Sequence, residues 1–223
     1  MISSMKQEAL YSTGALILLI LLLQGGIFFL GIFRTEPILS KNEIPRQTAL
    51  PVPAESNFRQ GPNQCGPYAA AIFLRSLEEE ITPEDMVIEL PWKLPRGYTH
   101  PQALESLIEK QGFETTAYNA GALTNEEKIQ FLRQTLAKGS PVILLTYMYG
   151  YQHYITLLGY DEESFAIYDP VFTRGAEGMT IDENGSLSGN RSIRKEELIS
   201  HWSQGGIAGF YRWYALATKN AAL

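Results

Sequence analysis

Residues 60–71 read Gln60-Gly61-Pro62-Asn63-Gln64-Cys65-Gly66-Pro67-Tyr68-Ala69-Ala70-Ala71 and hold the one cysteine of a 223-residue chain. Pro67 suits the first turn of a helix, where its missing N–H is no loss. The Ala-rich run continues into Ile72-Phe73-Leu74-Arg75-Ser76-Leu77, whose apolar positions fit a buried helical face. Cys65 therefore falls at a predicted helix N-terminus. There the macrodipole and unpaired N–H groups favour the thiolate, which is the nucleophilic form. Gly66 lets other backbone or a substrate come close. A small buried hydrophobe would fit the same pattern, so the stretch needs partners elsewhere before it means chemistry.

Working outward, Thr82-Pro83-Glu84-Asp85 is a capped helix start. Pro101 to Gln111 carries apolar residues at helical spacing and ends at Gly112, a C-cap. Phe113 to Tyr118 reads as a short strand, and Thr124 with Glu127 as the capping box of a helix reaching Lys138. Then the period changes. Pro141 to Tyr147 is a buried strand, His153 to Tyr160 a second, and Asp161-Glu162-Glu163-Ser164 turns into Phe165 to Asp169. A last strand runs from Gly209 to Ala217. Helices first and an antiparallel sheet second make an α+β layout.

That hairpin brings His153, at the opening of one strand, near Asp169, at the close of the next. Their distances from the turn differ by a few residues at about 3.3 Å each. A histidine oriented by a carboxylate is the base-plus-orienter half of a nucleophilic triad, and the cysteine helix would supply the rest. The oxyanion donors expected are the Cys65 N–H and the Gln60 side chain. Gln60 is preferred to Gln64, which abuts Cys65 and would point away from its oxyanion. The other histidines, His100 and His201, read as structural or exposed, and the three show no metal-ligand spacing. No metal or organic cofactor is called for.

Gln60-x4-Cys65-Gly66-Pro67, then His153-Tyr154-Ile155-Thr156-Leu157-Leu158-Gly159-Tyr160-Asp161, then Tyr168-Asp169-Pro170, resembles the papain-like cysteine peptidases of the bacteriocin-processing (double-glycine peptidase) family. The resemblance covers about Asn57 to Tyr214. It implies a papain-like fold in which Cys65, His153 and Asp169 form the triad and an upstream glutamine builds the oxyanion hole. It also implies a peptide or protein substrate, often cut after paired glycines. Transporter-linked members carry a long membrane domain after the peptidase, and this chain ends at Leu223, so it looks like a stand-alone branch. Two other readings stay open: amide transfer through the same thioester, and an inactive peptide-binding module. Phe172 to Arg191 is a longer loop than the family leads one to expect, either a specificity lid or a tolerated insertion. Asn184-Gly185-Ser186 and Asn190-Arg191-Ser192 match the glycosylation pattern, and the first is also an ordinary turn. The aromatic run Phe210 to Tyr214 reads as core.

Composition sets the outer limits. The chain is 45% hydrophobic with a formal net charge of -6, and it has no basic block, so nucleic acid is not an expected partner. One cysteine excludes an internal disulfide. From Ala9 to Phe33 there is no charged residue. This predicts a tail over 1–12, one membrane-spanning helix over 13–33, a linker over 34–56 and a folded domain over 57–218. A signal peptide would have a shorter apolar run of ~7–15 residues and a small-residue cleavage site. Arg34, Lys41 and Arg46 lean towards a cytoplasmic domain. The family resemblance leans the other way, so the membrane face stays open.

Overall fold

The computed structural model describes residues 14–26, 34–52, 58–171, 178–182, 187–207 and 209–219. The chain divides into two units, Met1–Arg34 and Thr35–Leu223. In the first, residues 14–26 form a helix, α1, whose leucines and isoleucines from Leu16 to Leu23 are exposed. Among the described residues no helix is long and apolar enough to cross a membrane. The span expected over 13–33 is therefore not found there. Residues 13 and 27–33 of it lie outside the described residues.

The second unit is built on an antiparallel sheet with helices on both faces. In chain order its elements are β1 (Thr48–Ala49), α2 (Cys65–Arg75), α3 (Pro83–Glu89), α4 (Pro101–Lys110), β2 (Thr115–Asn119) and α5 (Asn125–Ala137). They continue as β3 (Val142–Met148), β4 (Tyr151–Tyr160), β5 (Ser164–Tyr168), β6 (Met179–Ile181), β7 (Arg191–Arg194), α6 (Lys195–Ser203) and β8 (Tyr214–Thr218). Among the described residues the sheet runs β2-β8-β3-β4-β5-β7-β6, with β1 also paired to β4. The α+β expectation holds. Its order is less clean than helices then sheet, because β1 and β2 join from the helical half and α6 returns after β7.

Local chemistry places the helices. Thr82 and Asp85 close a capping box on α3, and Thr124 and Glu127 close one on α5. The run Val142 to Leu145 is apolar throughout because both faces of β3 are covered. Val142 and Leu144 pack with Phe131, Leu132 and Trp202 of α5 and α6. Ile143 and Leu145 pack with Phe73, Leu104 and Leu107 of α2 and α4. Helix α2 is buried from Cys65 to Leu74. Its small Ala69 comes close enough to the sheet for its carbonyl to accept from Thr156 Oγ1 at 2.9 Å. Packing on the sheet thus sets where the first turn of α2 sits.

Residues 35–50, expected as free linker, are strapped to the domain. Thr35 bridges Tyr118, Ser40 and Gln134 exchange two hydrogen bonds, and Tyr160 donates to the Pro45 carbonyl at 2.8 Å. Strand β1 then pairs Thr48 with Tyr160 and Ala49 with Gly159. The prolines in this stretch mask its docking, because bonds to its main chain and the irregularly spaced Leu39, Ile44 and Leu50 on the core, rather than a hydrophobic period, hold it down. The last strand also begins later than expected, at Tyr214, after a turn in which Tyr211 and Trp213 take positive φ.

Candidate active site

Cys65 is the first residue of α2 and is buried, at 8% exposure. No side chain caps this helix. Gln64, the residue before it, accepts from the Gly61 N–H through Oε1 at 2.9 Å instead, folding back on its own turn. The first-turn amides of α2 are thus left for another partner. Gly66 meets its neighbour more closely than any side chain allows: a Cβ there would lie 2.6 Å from the Cβ and Oγ1 of buried Thr99. That contact is why the residue after the cysteine is glycine.

His153 is the third residue of β4 rather than its first, and Asp169 lies one residue beyond β5. Strand β5 pairs with β4 only from Thr156 onward. The His153 half of β4 therefore has no strand on that side among the described residues, and its ring is free to reach the chain that leaves β5. His153 Nε2 meets Asp169 Oδ1 at 2.8 Å, both side chains wholly buried. Its Nδ1 is buried as well. Burial alone would lower the pKa of His153. The Asp169 carboxylate and the Cys65 sulfur more than offset it, raising it from its ordinary 6.5 to about 10. His153 thus interacts with both Asp169 and Cys65.

Asp169 is held on every side. Its N–H donates to Asn190 Oδ1 at 2.8 Å, and Asn190 Nδ2 donates to its carbonyl at 2.9 Å. Val171 N–H donates to Oδ1 at 2.8 Å, and the Tyr149 hydroxyl donates to Oδ2. Arg191, fully buried, donates to the carbonyls of Asn190 and Val171. The rings of Tyr149 and Tyr151 stand edge-on to His153, with centroids 5.7 and 5.9 Å away. Gln60 is tied to the same place, its N–H donating to the Pro170 carbonyl at 3.1 Å. Its Oε1 is buried with no partner among the described residues.

Sequence reasoning missed Tyr149, Asn190 and Arg191. Asn190 was expected as a possible glycosylation acceptor, but it is 2% exposed and its amide is spent on the Asp169 backbone. The loop expected over 172–191 supplies β6 and delivers these two residues to Asp169, while 172–177 and 183–186 lie outside the described residues. The other asparagine, Asn184, is among the latter. His100 is buried at the start of α4, where Nδ1 accepts from the Gln102 N–H at 3.3 Å. His201 meets the Tyr147 carbonyl at 3.1 Å. Neither lies among the triad residues.

The family model described as "Peptidase_C39 like family" matches residues 46–202, from the strapped segment to α6. The chain belongs to this family. It is a cysteine-type peptidase. Among solved structures, one described as a C39-like peptidase from Bacillus anthracis is 16% identical with a TM-score of 0.53. That match covers 78% of this chain and 98% of the other, and it shows a shared fold. A double glycine motif protease of an AMS/PCAT transporter, solved with its leader peptide, is 13% identical with a TM-score of 0.48, over 83% of this chain and 99% of that one. The peptidase domain of Streptococcus ComA is 17% identical with a TM-score of 0.46, over 72% and 96%. No curated protein matches this C39-like peptidase.

Proposed function

We propose that this peptidase hydrolyses peptide bonds with Cys65 as nucleophile, His153 as general acid and base, and Asp169 as the group that orients the histidine. The observation that carries this reading is the wholly buried 2.8 Å contact of His153 Nε2 with Asp169 Oδ1. It leaves Nδ1 to interact with the Cys65 sulfur. The thiolate attacks the substrate carbonyl. His153 passes a proton to the leaving amine, and a thioester remains on Cys65. Water then attacks the thioester with His153 as base, releasing the acid and restoring the thiolate–imidazolium pair.

The oxyanion is met by the Cys65 N–H, on a helix start that no side chain caps, and by the Gln60 carboxamide. Gln60 suits this role because its main chain is fixed to the Pro170 carbonyl, next to Asp169, whereas the Gln64 side chain is committed to Gly61. The uncharged stretch Ala9–Phe33, with the exposed apolar side chains of α1, tethers the peptidase to a membrane.

An active-site-directed epoxide tests the chemistry. It should alkylate Cys65 at neutral pH and lose most of that reactivity in His153→Ala. Equal labelling of the two proteins would sink the mechanism. Product masses in the presence of an added amine separate hydrolysis from amide transfer. Extraction of membranes with alkaline carbonate tests the tether, which fails if the chain is released.

A further inference from the structure

The chain carries 24 acidic and 18 basic residues, yet no acidic residue falls within 56–77, 90–104, 139–160 or 198–217. Each of these four segments borders the space beside Cys65, through Cys65 itself, Leu94 and Tyr98, Leu145 and Tyr151, and Ile207. Asp169 comes from a fifth segment, and its carboxylate is engaged by His153 and Tyr149. The four segments therefore offer only cations. Arg59, Lys93, Arg96 and Arg212 are all exposed. None of them enters an ion pair among the described residues, where the pairs lie elsewhere, as between Lys110 and Glu89 or Lys219 and Glu114.

Arg96 differs from the other three in its backbone. It lies in the turn Pro95–Gly97 with φ of 66°, in the left-handed region that glycine and asparagine tolerate best. The Leu94 N–H donates to the Tyr98 carbonyl at 2.7 Å and closes the loop beneath it. The Arg96 carbonyl accepts from Asn63 Nδ2 at 2.8 Å. Asn63, two residues before Cys65, is itself left-handed with φ of 58°. Arg96 is thus fastened to the turn that leads into the nucleophile. Its guanidinium makes no hydrogen bond or ion pair among the described residues. The fold holds a strained backbone for a side chain that it does not use, and such outliers cluster at functional sites.

We propose that Arg96, with Lys93 in the same loop, is a specificity-determining residue that selects peptides carrying an aspartate or glutamate close to the bond attacked by Cys65. The inference rests on the peptidase reading above and names the substrate class for the same site. Leu94 and Tyr98, two residues to either side of Arg96, border the same space as Cys65. An extended peptide advances about 3.3 Å per residue, which puts the residue that is read within about four positions of the cut. Arginine suits the task because its guanidinium meets a carboxylate through two parallel N–H bonds. A substrate lysine would meet only like charge there. On a chain of net charge -6, a rim without acidic residues also steers an acidic peptide to the cleft rather than to the rest of the surface.

Internally quenched peptides test this. Each of the positions near the cut is set in turn to Ala, Glu or Lys, and the cut is located by mass spectrometry. The expected result is a position at which Glu exceeds Ala by about fivefold in kcat/KM at low ionic strength, the upper worth of an exposed ion pair. Lys should fall below Ala at the same position. The preference should largely vanish in about 1 M salt, where the screening length is about 3 Å. Arg96→Gly suits the left-handed backbone, so it should fold at least as stably as the parent while losing most of the preference for Glu. Arg96→Lys should keep part of it, and Arg96→Glu should turn it towards Lys. An uncharged epoxide should label Cys65 at the same rate in all of these proteins, which separates a changed preference from a damaged nucleophile. A labelled enzyme that cuts the Glu and Lys peptides equally, or keeps its preference in Arg96→Gly, overturns the assignment and leaves the peptidase reading standing. If Cys65 is neither labelled nor active, the peptidase reading fails. Titration of the same peptides onto Cys65→Ala then judges Arg96. Tighter binding of the Glu peptide, lost when Arg96→Gly is added, supports it, and equal binding overturns it.

Discussion

The Tyr149 hydroxyl donates to Asp169 Oδ2, the carboxylate oxygen that His153 does not use. Tyr149 sits in the two-residue turn between β3 and β4, closed by the pair Met148 and Tyr151. Tyr149 and Gly150 have φ of 58° and 89°. Primed turns of this kind suit the strand twist and favour Asn-Gly. A tyrosine in the left-handed region is strained. The strain persists because the side chain is anchored, with its ring packed on the core and its hydroxyl on the carboxylate. Burial first, and then Asp169, hold its proton on, raising the pKa of Tyr149 well above the ordinary phenol range. It is a dependable donor at any working pH.

Tyr149→Phe should therefore leave one buried carboxylate oxygen with a missing donor, at a cost of about 1–3 kcal/mol in urea unfolding. Activity should fall as well, since Asp169 becomes free to rotate away from His153. Unchanged stability and unchanged kcat/KM together would show that the Tyr149 hydroxyl supports neither the fold nor the site.

The pH dependence follows from His153. Its pKa is raised, so the charged ring and its contact with Asp169 are fully present below the ordinary 6.5 and are lost as the pH rises through about 10. The alkaline limb of kcat/KM should lie near the upper value rather than the lower. Asp169→Asn keeps a hydrogen-bond acceptor but removes the charge, and should draw that limb down towards the ordinary histidine value. A pH–rate profile of both proteins checks this. The same limb in both would mean that Asp169 does not set the protonation of His153.

Asn190 acts on the backbone of Asp169 as a neighbouring strand would, accepting from its N–H and donating to its carbonyl. Asn190→Ala orphans both groups in a fully buried place, and should destabilise the domain by about 2–4 kcal/mol. Hydrogen exchange at the Asp169 amide should rise with it. Asn190→Asp removes the donor and sets a second carboxylate beside the first, so it should be at least as damaging. If Asn190→Ala unfolds at the same urea concentration as the parent, the clamp has no structural weight.

Much of the site was legible because its members stand in stretches with strong local signals. Cys65 begins a helix marked by Pro67 and an alanine run, and His153 and Asp169 lie on two strands joined by a short turn. The capping residues of α3 and α5 were legible for the same reason. What surrounds Asp169 was not. Asn190 reaches it, and Arg191 reaches its neighbour Val171, from 20 or so positions along the chain, and their bonds to main-chain groups leave no period or motif. Tyr149 contradicts turn propensity, and only its contact with Asp169 explains it. The strapped segment 35–50 failed to register because two short pairings, a few bonds to its main chain and three irregularly spaced apolar residues carry it.

Gly66 joins the fold to the chemistry most directly. A methyl group there would meet Thr99 Cβ at 2.6 Å, Oγ1 at 2.6 Å and Cγ2 at 2.7 Å. Thr99 is a short, buried, branched side chain with nowhere to retreat. Gly66→Ala should destabilise the domain by about 1–3 kcal/mol, as overpacking does. The start of α2 would move away from Thr99 and carry Cys65 with it. A displacement near 1 Å at a reacting group costs about 100-fold in rate. The variant should therefore lose far more kcat/KM than its stability loss explains, when assayed where it remains folded. If it keeps parental activity under those conditions, the close approach of Thr99 has no part in placing the nucleophile.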